Sequence, residues 1–146
     1  MNFALSLVLR VSILCSIAGL ACAAPDWLPV EGTDDGRPVS NATSYLRSDV
    51  KTAGDGMVEA VEMQNMKIAV TDPELKIAYR SLVARHLIKC DSARLATVSA
   101  EYFSGPMGKG DLKHTASRPV NTLRFGGSIA GSRREFIIKK ACALAK

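Results

Sequence analysis

The chain has 146 residues, 47% of them hydrophobic and only 5% aromatic, with 19 Lys+Arg against 14 Asp+Glu for a net charge of +5. That length holds one domain with a real core and excludes two. The cationic excess is too dilute for the dense basic stripe of a nucleic-acid binder, which leaves a solvated surface or an acidic partner such as a sulfated polysaccharide.

The first residues read as a leader. Arg10 is the one side-chain charge of residues 1–10, residues 11–20 (VSILCSIAGL) form a short apolar core, and Ala21-Cys22-Ala23 is a small-x-small cleavage pattern. This is the three-part layout of a secretory signal. Residues 1–23 are therefore expected to be removed, leaving residues 24–146 as a single exported domain in the periplasm, on the cell surface or outside the cell. A membrane anchor fits less well, because a helix from Val11 to Ala24 spans roughly 21 Å against a hydrocarbon core of about 30 Å. Lipidation at Cys22 is a third reading, but Gly19 stands where lipoprotein signals place Leu. No later segment looks transmembrane.

Residues 26–31 (DWLPVE) predict an edge strand, since Pro29 would break a central ladder. Residues 32–37 are turn chemistry, and residues 39–47 predict a second strand around Tyr45 and Leu46. After a turn at 52–56, residues 57–66 (MVEAVEMQNM) carry helical propensity, yet close flanking turns favour a strand. A loop at 71–75 follows. Residues 77–89 and 94–103 predict an antiparallel hairpin broken at Cys90-Asp91-Ser92-Ala93. Neither parity of that hairpin is purely apolar. The need for Cys90 to face Cys142 favours the even-numbered side of the first strand as inward. Residues 104–111 (SGPMGKGD) fail the phosphate-loop pattern, because Gly105 and Gly108 are too close and Gly110 replaces the hydroxyl residue, so they read as a flexible hairpin connection. Ser132 as N-cap and Glu135 three residues on form a capping box. The helix it starts puts Ile137, Ile138, Ala141 and Cys142 on one face, with Lys139 and Lys140 outward.

Without the leader, Cys90 and Cys142 are the two remaining cysteines. An even pair in an exported chain predicts a disulfide, worth roughly 4 kcal/mol for a loop of about 50 residues. Two free buried thiols are the alternative. Neither Cys has a second Cys or a His at ligand spacing, so no metal and no cofactor is expected.

The segment AYRSLVARHLIKCDSARLATVSAEYFSGPMGKG (78–110) resembles the surface-adhesin protein E family of bacteria. The shared features are an aromatic near the mature start (Trp27), the triplet Tyr79-Arg80-Ser81 on a strand running into Cys90, and a return strand ending in an aromatic (Tyr102). A Gly-rich loop and a helix with a late Cys142 complete them. The resemblance implies an α+β fold: a single antiparallel sheet of about six strands with a C-terminal helix packed on one face. It also implies an envelope protein that binds host proteins such as extracellular-matrix components. Residues 57–66 lack the family's aromatic, and residues 119–131 differ from its usual approach to the last helix.

These readings favour a non-catalytic binding module. Its candidate surface is the outward parity of the central hairpin, with Arg85, Lys89 and Arg94, plus Lys109 and Lys113 beside the glycine loop; Arg and Lys there suit sulfated sugars or acidic protein patches. The alternative is a periplasmic structural or accessory protein with no external ligand. An enzyme is disfavoured: no Gly-x-Ser-x-Gly elbow, zinc motif or free mature Cys accompanies His86 and His114, and His86 reads as a satisfied core histidine. An exposed edge strand permits a homodimer.

Overall fold

The computed structural model describes residues 26–32 and 42–146. The leader, Cys22, the turn at 33–37 and the beginning of the second predicted strand lie outside the described residues. The strands are β1 (Trp27–Val30), β2 (Ala42–Arg47), β3 (Lys51–Thr52), β4 (Met57–Thr71), β5 (Ala78–Lys89), β6 (Arg94–Phe103) and β7 (Leu112–Ser117); one helix, α1 (Arg133–Leu144), ends the chain. They form one antiparallel sheet in the order β1-β2-β4-β5-β6-β7, with two-residue β3 beside β4. The predicted α+β architecture is therefore the one observed. Three strands exceed the sequence reading: β4 runs on to Thr71, β7 follows the glycine loop, and two-residue β3 takes Thr52 from the turn read at 52–56.

Pro29 sits in edge strand β1, where its missing N–H costs no ladder bond. The β4–β5 turn is closed by Asp72, whose Oδ1 accepts from the amides of Glu74 (2.9 Å) and Leu75 (2.8 Å). Asp72 thus mimics a backbone turn partner. In the β5–β6 turn Asp91 accepts from the amide and the hydroxyl of the adjacent Ser92, at 2.6 and 3.0 Å.

The register fixes which residues share a face. Glu62 stands opposite Ala84, and Val58 opposite Ile88. Ile88 in turn stands opposite Leu95, and Ala84 opposite Ala100. The even-numbered residues of β4 from Val58 to Gln64, and of β5 from Leu82 to Ile88, thus face the helix, as the Cys90 argument required; beyond Asn65 the β4–β5 register shifts. In β6 the parity changes midway. Arg85 pairs with Ser99 but His86 pairs with Thr97, so Val98 is an extra residue, a β-bulge. Leu95 and Thr97 face the helix before it, Ala100 and Tyr102 after it. The sequence reading assumed one unbroken alternation here, and the bulge is why neither parity looked apolar.

Helix α1 starts at the predicted N-cap, with Ser132 Oγ accepting from the Glu135 amide at 3.3 Å. The Glu135 carboxylate closes the other side of the cap on the Gly131 amide, at 2.7 Å. Ile137, Ile138 and Ala141 press onto Leu46, Val58, Ala60, Ile88 and Leu95 to make the core. Burying a Leu or Ile side chain of this kind contributes about 2 kcal/mol each. Cys90 and Cys142 are joined by a disulfide, as predicted, with Cα atoms 5.8 Å apart. Lys139 points outward as expected, whereas Lys140 folds back to donate to the Pro29 carbonyl at 2.7 Å, tying the helix to edge strand β1. Gly32 crosses close to the helix start with φ +117°; a Cβ there would stand 2.6 Å from the Arg133 nitrogen, so only glycine fits.

Candidate functional site

The helix-free side of the sheet carries the predicted cationic surface, but in two separate groups. Arg85, Lys89 and Arg94 share that face at the end nearest the Cys90 turn, with Lys89 and Arg94 directly opposite each other. Arg85 lies 3.8 Å from Glu59 in a partly exposed ion pair. Lys89 Nζ stands 4.6 Å from the centre of the Phe125 ring. Lys109 and Lys113 belong to the other end of the sheet, Lys109 in the glycine loop and Lys113 3.5 Å from Asp111. That loop is pinned over Ser81, whose hydroxyl donates to the Gly105 carbonyl (2.6 Å) and accepts from the Gly108 amide (2.9 Å). Ser81 is eight residues from Lys89, roughly 26 Å along a strand at about 3.3 Å per residue. The five predicted residues therefore do not form one patch.

Sequence reading passed over the polar centre on the helix side. Glu62, on β4, is 2% exposed, and His86, opposite Ala60 on β5, is 5% exposed. His86 Nε2 lies 3.1 Å from Glu62 Oε2, and its Nδ1 lies 3.2 Å from Thr97 Oγ1. Arg133, in the first turn of α1, places Nε 3.3 Å from Glu62 Oε1. Burial works to raise the Glu62 pKa. The His86 hydrogen bond, the Arg133 charge and the Ser44 hydroxyl outweigh it, holding the carboxyl below its ordinary 4.5. An ionised Glu62 only accepts, so His86 Nε2 carries the proton of that bond. His86 is thus the satisfied core histidine that the strand parity implied. What sequence could not supply is the partner set, because Glu62, His86 and Arg133 meet only through register and helix docking.

Beside this cluster the sheet is open. A pocket of about 210 Å³ reaches Glu62 and His86 at its deep end, and a shallower one of about 340 Å³ continues over β6 and β7. The two share Leu95, Thr97, Ala100, Tyr102 and Arg134, so they form one groove. Tyr102 packs edge-on to Tyr79, ring centres 5.0 Å apart, and lies 5.8 Å from His114. Among the described residues no group of acids, His and Cys is arranged to hold a metal ion, and no helix is long and apolar enough to cross a membrane.

The family model described as surface-adhesin protein E matches residues 27–143, and the chain belongs to that family. Among solved structures, crystal form II of Haemophilus influenzae protein E is similar with a TM-score of 0.55 and 15% identity, covering 80% of this chain and 87% of that one. Another structure of Haemophilus influenzae protein E has a TM-score of 0.52 and 17% identity over 80% of this chain and 93% of that one. At these identities the likeness is one of fold. No curated protein matches the sequence significantly.

Proposed function

We propose that this member of the surface-adhesin protein E family is an exported, non-catalytic adhesion module. Its ligand is a host or extracellular-matrix protein or a sulfated polysaccharide, held on the helix-free face of the sheet. The observation that carries this reading is one-sidedness. Helix α1 covers one face, while Arg85, with 47% of its side chain exposed, shares the other with Lys89 and Arg94. Cations on a flat sheet face suit a broad acidic surface rather than a small substrate. Lys109 and Lys113 would form a second contact at the far end of the same molecule.

Export is part of the proposal: cleavage after Ala23 would release a chain starting at Ala24. Protease shaving of intact cells, followed by intact mass, tests this. Cutting on whole cells supports a surface adhesin, and protection until the outer membrane is opened supports the periplasmic accessory reading instead. The same mass separates a start at Ala24 from a lipidated Cys22. For the binding face, Arg85→Glu with Lys89→Glu is expected to abolish binding to immobilised matrix proteins; unchanged binding excludes this patch. The exposed edge at β7 is the route by which two copies would pair strand to strand, and sedimentation of the purified domain tests for that dimer.

A further inference from the structure

The groove on the helix side is a feature of sequence and register together. Ala84, Ala100 and Ala116 stand opposite one another on β5, β6 and β7, so across these three strands the row that begins at Glu62 on β4 carries only methyl groups. The row on one side holds Leu82, Tyr102 and His114; that on the other includes His86 and Thr97. Helix α1 packs chiefly on β1, β2, β4 and β6, and Ala116, at the β7 end of the alanine row, is exposed. The result is a trough about one residue wide with an apolar floor.

Its rim is cationic. Arg118 follows β7, Arg124 follows the short 3-10 turn at Val120–Thr122, and Arg134 stands in the first turn of α1, yet all three line the shallow pocket. No acidic residue lines that pocket. The one acid of the deep pocket, Glu62, is held by Arg133 and His86. Arg118 and Arg124 are exposed and have no acidic partner among the described residues. Arginines converging from three separate segments on a site without acids complement an anion, and the planar guanidinium favours carboxylate in a forked geometry.

We infer that the alanine trough binds an acidic peptide segment, one apolar side chain entering over Ala100 while flanking carboxylates pair with Arg118, Arg124 and Arg134. The floor decides between acidic ligands. A sulfated saccharide would match the rim but would lay hydroxyls on the methyl surface of Ala84, Ala100 and Ala116, whereas a peptide offers an apolar group to that surface as well as charge to the rim. This site lies on the face opposite Arg85, Lys89 and Arg94 and stands independently of the adhesion surface proposed there.

The test uses the mature domain and a labelled peptide, Asp-Asp-Phe-Asp-Asp, compared with Asp-Asp-Ala-Asp-Asp and with a heparin-derived hexasaccharide. The Phe peptide is expected to shift the amide resonances of Thr97, Ala100 and Ala116 and to bind at least tenfold more tightly than the Ala peptide. Arg118→Glu with Arg124→Glu, both at exposed positions, should weaken it by at least tenfold, while Arg85→Glu with Lys89→Glu leaves it unchanged. Equal affinity for the two peptides overturns the inference, as does saccharide binding in place of peptide. Resonance shifts confined to the helix-free face of the unmodified protein overturn it without recourse to any variant.

Discussion

Glu62 on the central strand β4 and Arg133 in the first turn of α1 stand 3.3 Å apart across the buried helix–sheet junction. The carboxylate also accepts a hydrogen bond from His86 Nε2 at 3.1 Å. The helix is thus fixed at its start by charge and at its end by the disulfide, with Ile137, Ile138 and Ala141 packed between. Replacing Glu62 by Gln keeps the shape but removes the negative charge that faces Arg133, 21% exposed, at this junction. Breaking one partner of a buried pair costs about 3 kcal/mol or more. The expected result is a lower urea midpoint of that size with an unchanged slope, and a midpoint within error of the parent would show that the pair contributes nothing to stability.

The same carboxylate makes the domain sensitive to acid. Glu62 is held below its ordinary 4.5. A group depressed on folding contributes stability that is fully present above its unfolded value and is lost as pH falls below 4.5 toward the folded value. Wild type and Glu62→Gln should therefore differ most near neutral pH and converge under acid conditions. Thermal unfolding of both proteins across that window measures the convergence, and a gap that persists at low pH would assign the cost to packing instead.

How much of this was readable in the sequence follows from where each feature is encoded. The capping Ser132, the edge proline Pro29 and the turn acid Asp91 act within a few residues, so local chemistry located α1, β1 and the β5–β6 hairpin. Strand β7 was missed because Leu112–Ser117 (LKHTAS) has no sustained alternation and little apolar content; it is a strand through its pairing with β6. The bulge at Val98 hid the inward face of β6, since alternation read across an extra residue mixes both faces. The Ala84-Ala100-Ala116 row and the converging Arg118, Arg124 and Arg134 are products of register and of loop path, neither of which single-residue patterns contain. The cationic surface at Arg85, Lys89 and Arg94 was legible because adjacent strands of one hairpin bring these residues together, while Lys109 and Lys113 were grouped with it only by composition.

The disulfide closes a loop with a sequence separation of 52, which the chain-entropy relation values at roughly 4 kcal/mol. Cys90 and Cys142 are only partly buried beside the core, so serines at both sites expose little new polar surface to apolar neighbours. Cys90→Ser with Cys142→Ser should therefore lower stability by about that amount, chiefly by freeing the unfolded chain. Reduction of the unmodified protein should produce the same loss. Denaturant midpoints of reduced, oxidised and doubly substituted protein give the comparison, and a reduced form as stable as the oxidised one would refute the prediction.

Glu62, His86 and Thr97 follow one another at 3.1 and 3.2 Å in the order acid, imidazole, hydroxyl, and Thr97 opens onto the groove. That order alone is the order of a nucleophile relay. In a working relay the acid remains available to stabilise the imidazolium as it forms. Here Arg133 already compensates Glu62, which weakens that stabilisation and gives the carboxylate a structural task at the helix start. The hydroxyl is also that of a threonine beside a β-bulge, with its branched carbon hindering approach. We expect no His86-dependent turnover of an activated ester such as p-nitrophenyl acetate: His86→Ala and Thr97→Ala should hydrolyse it at the parent rate once each variant is shown to be folded. A tenfold drop in both folded variants, with burst kinetics in the parent, would instead establish Thr97 as a nucleophile and remove the non-catalytic reading of this domain.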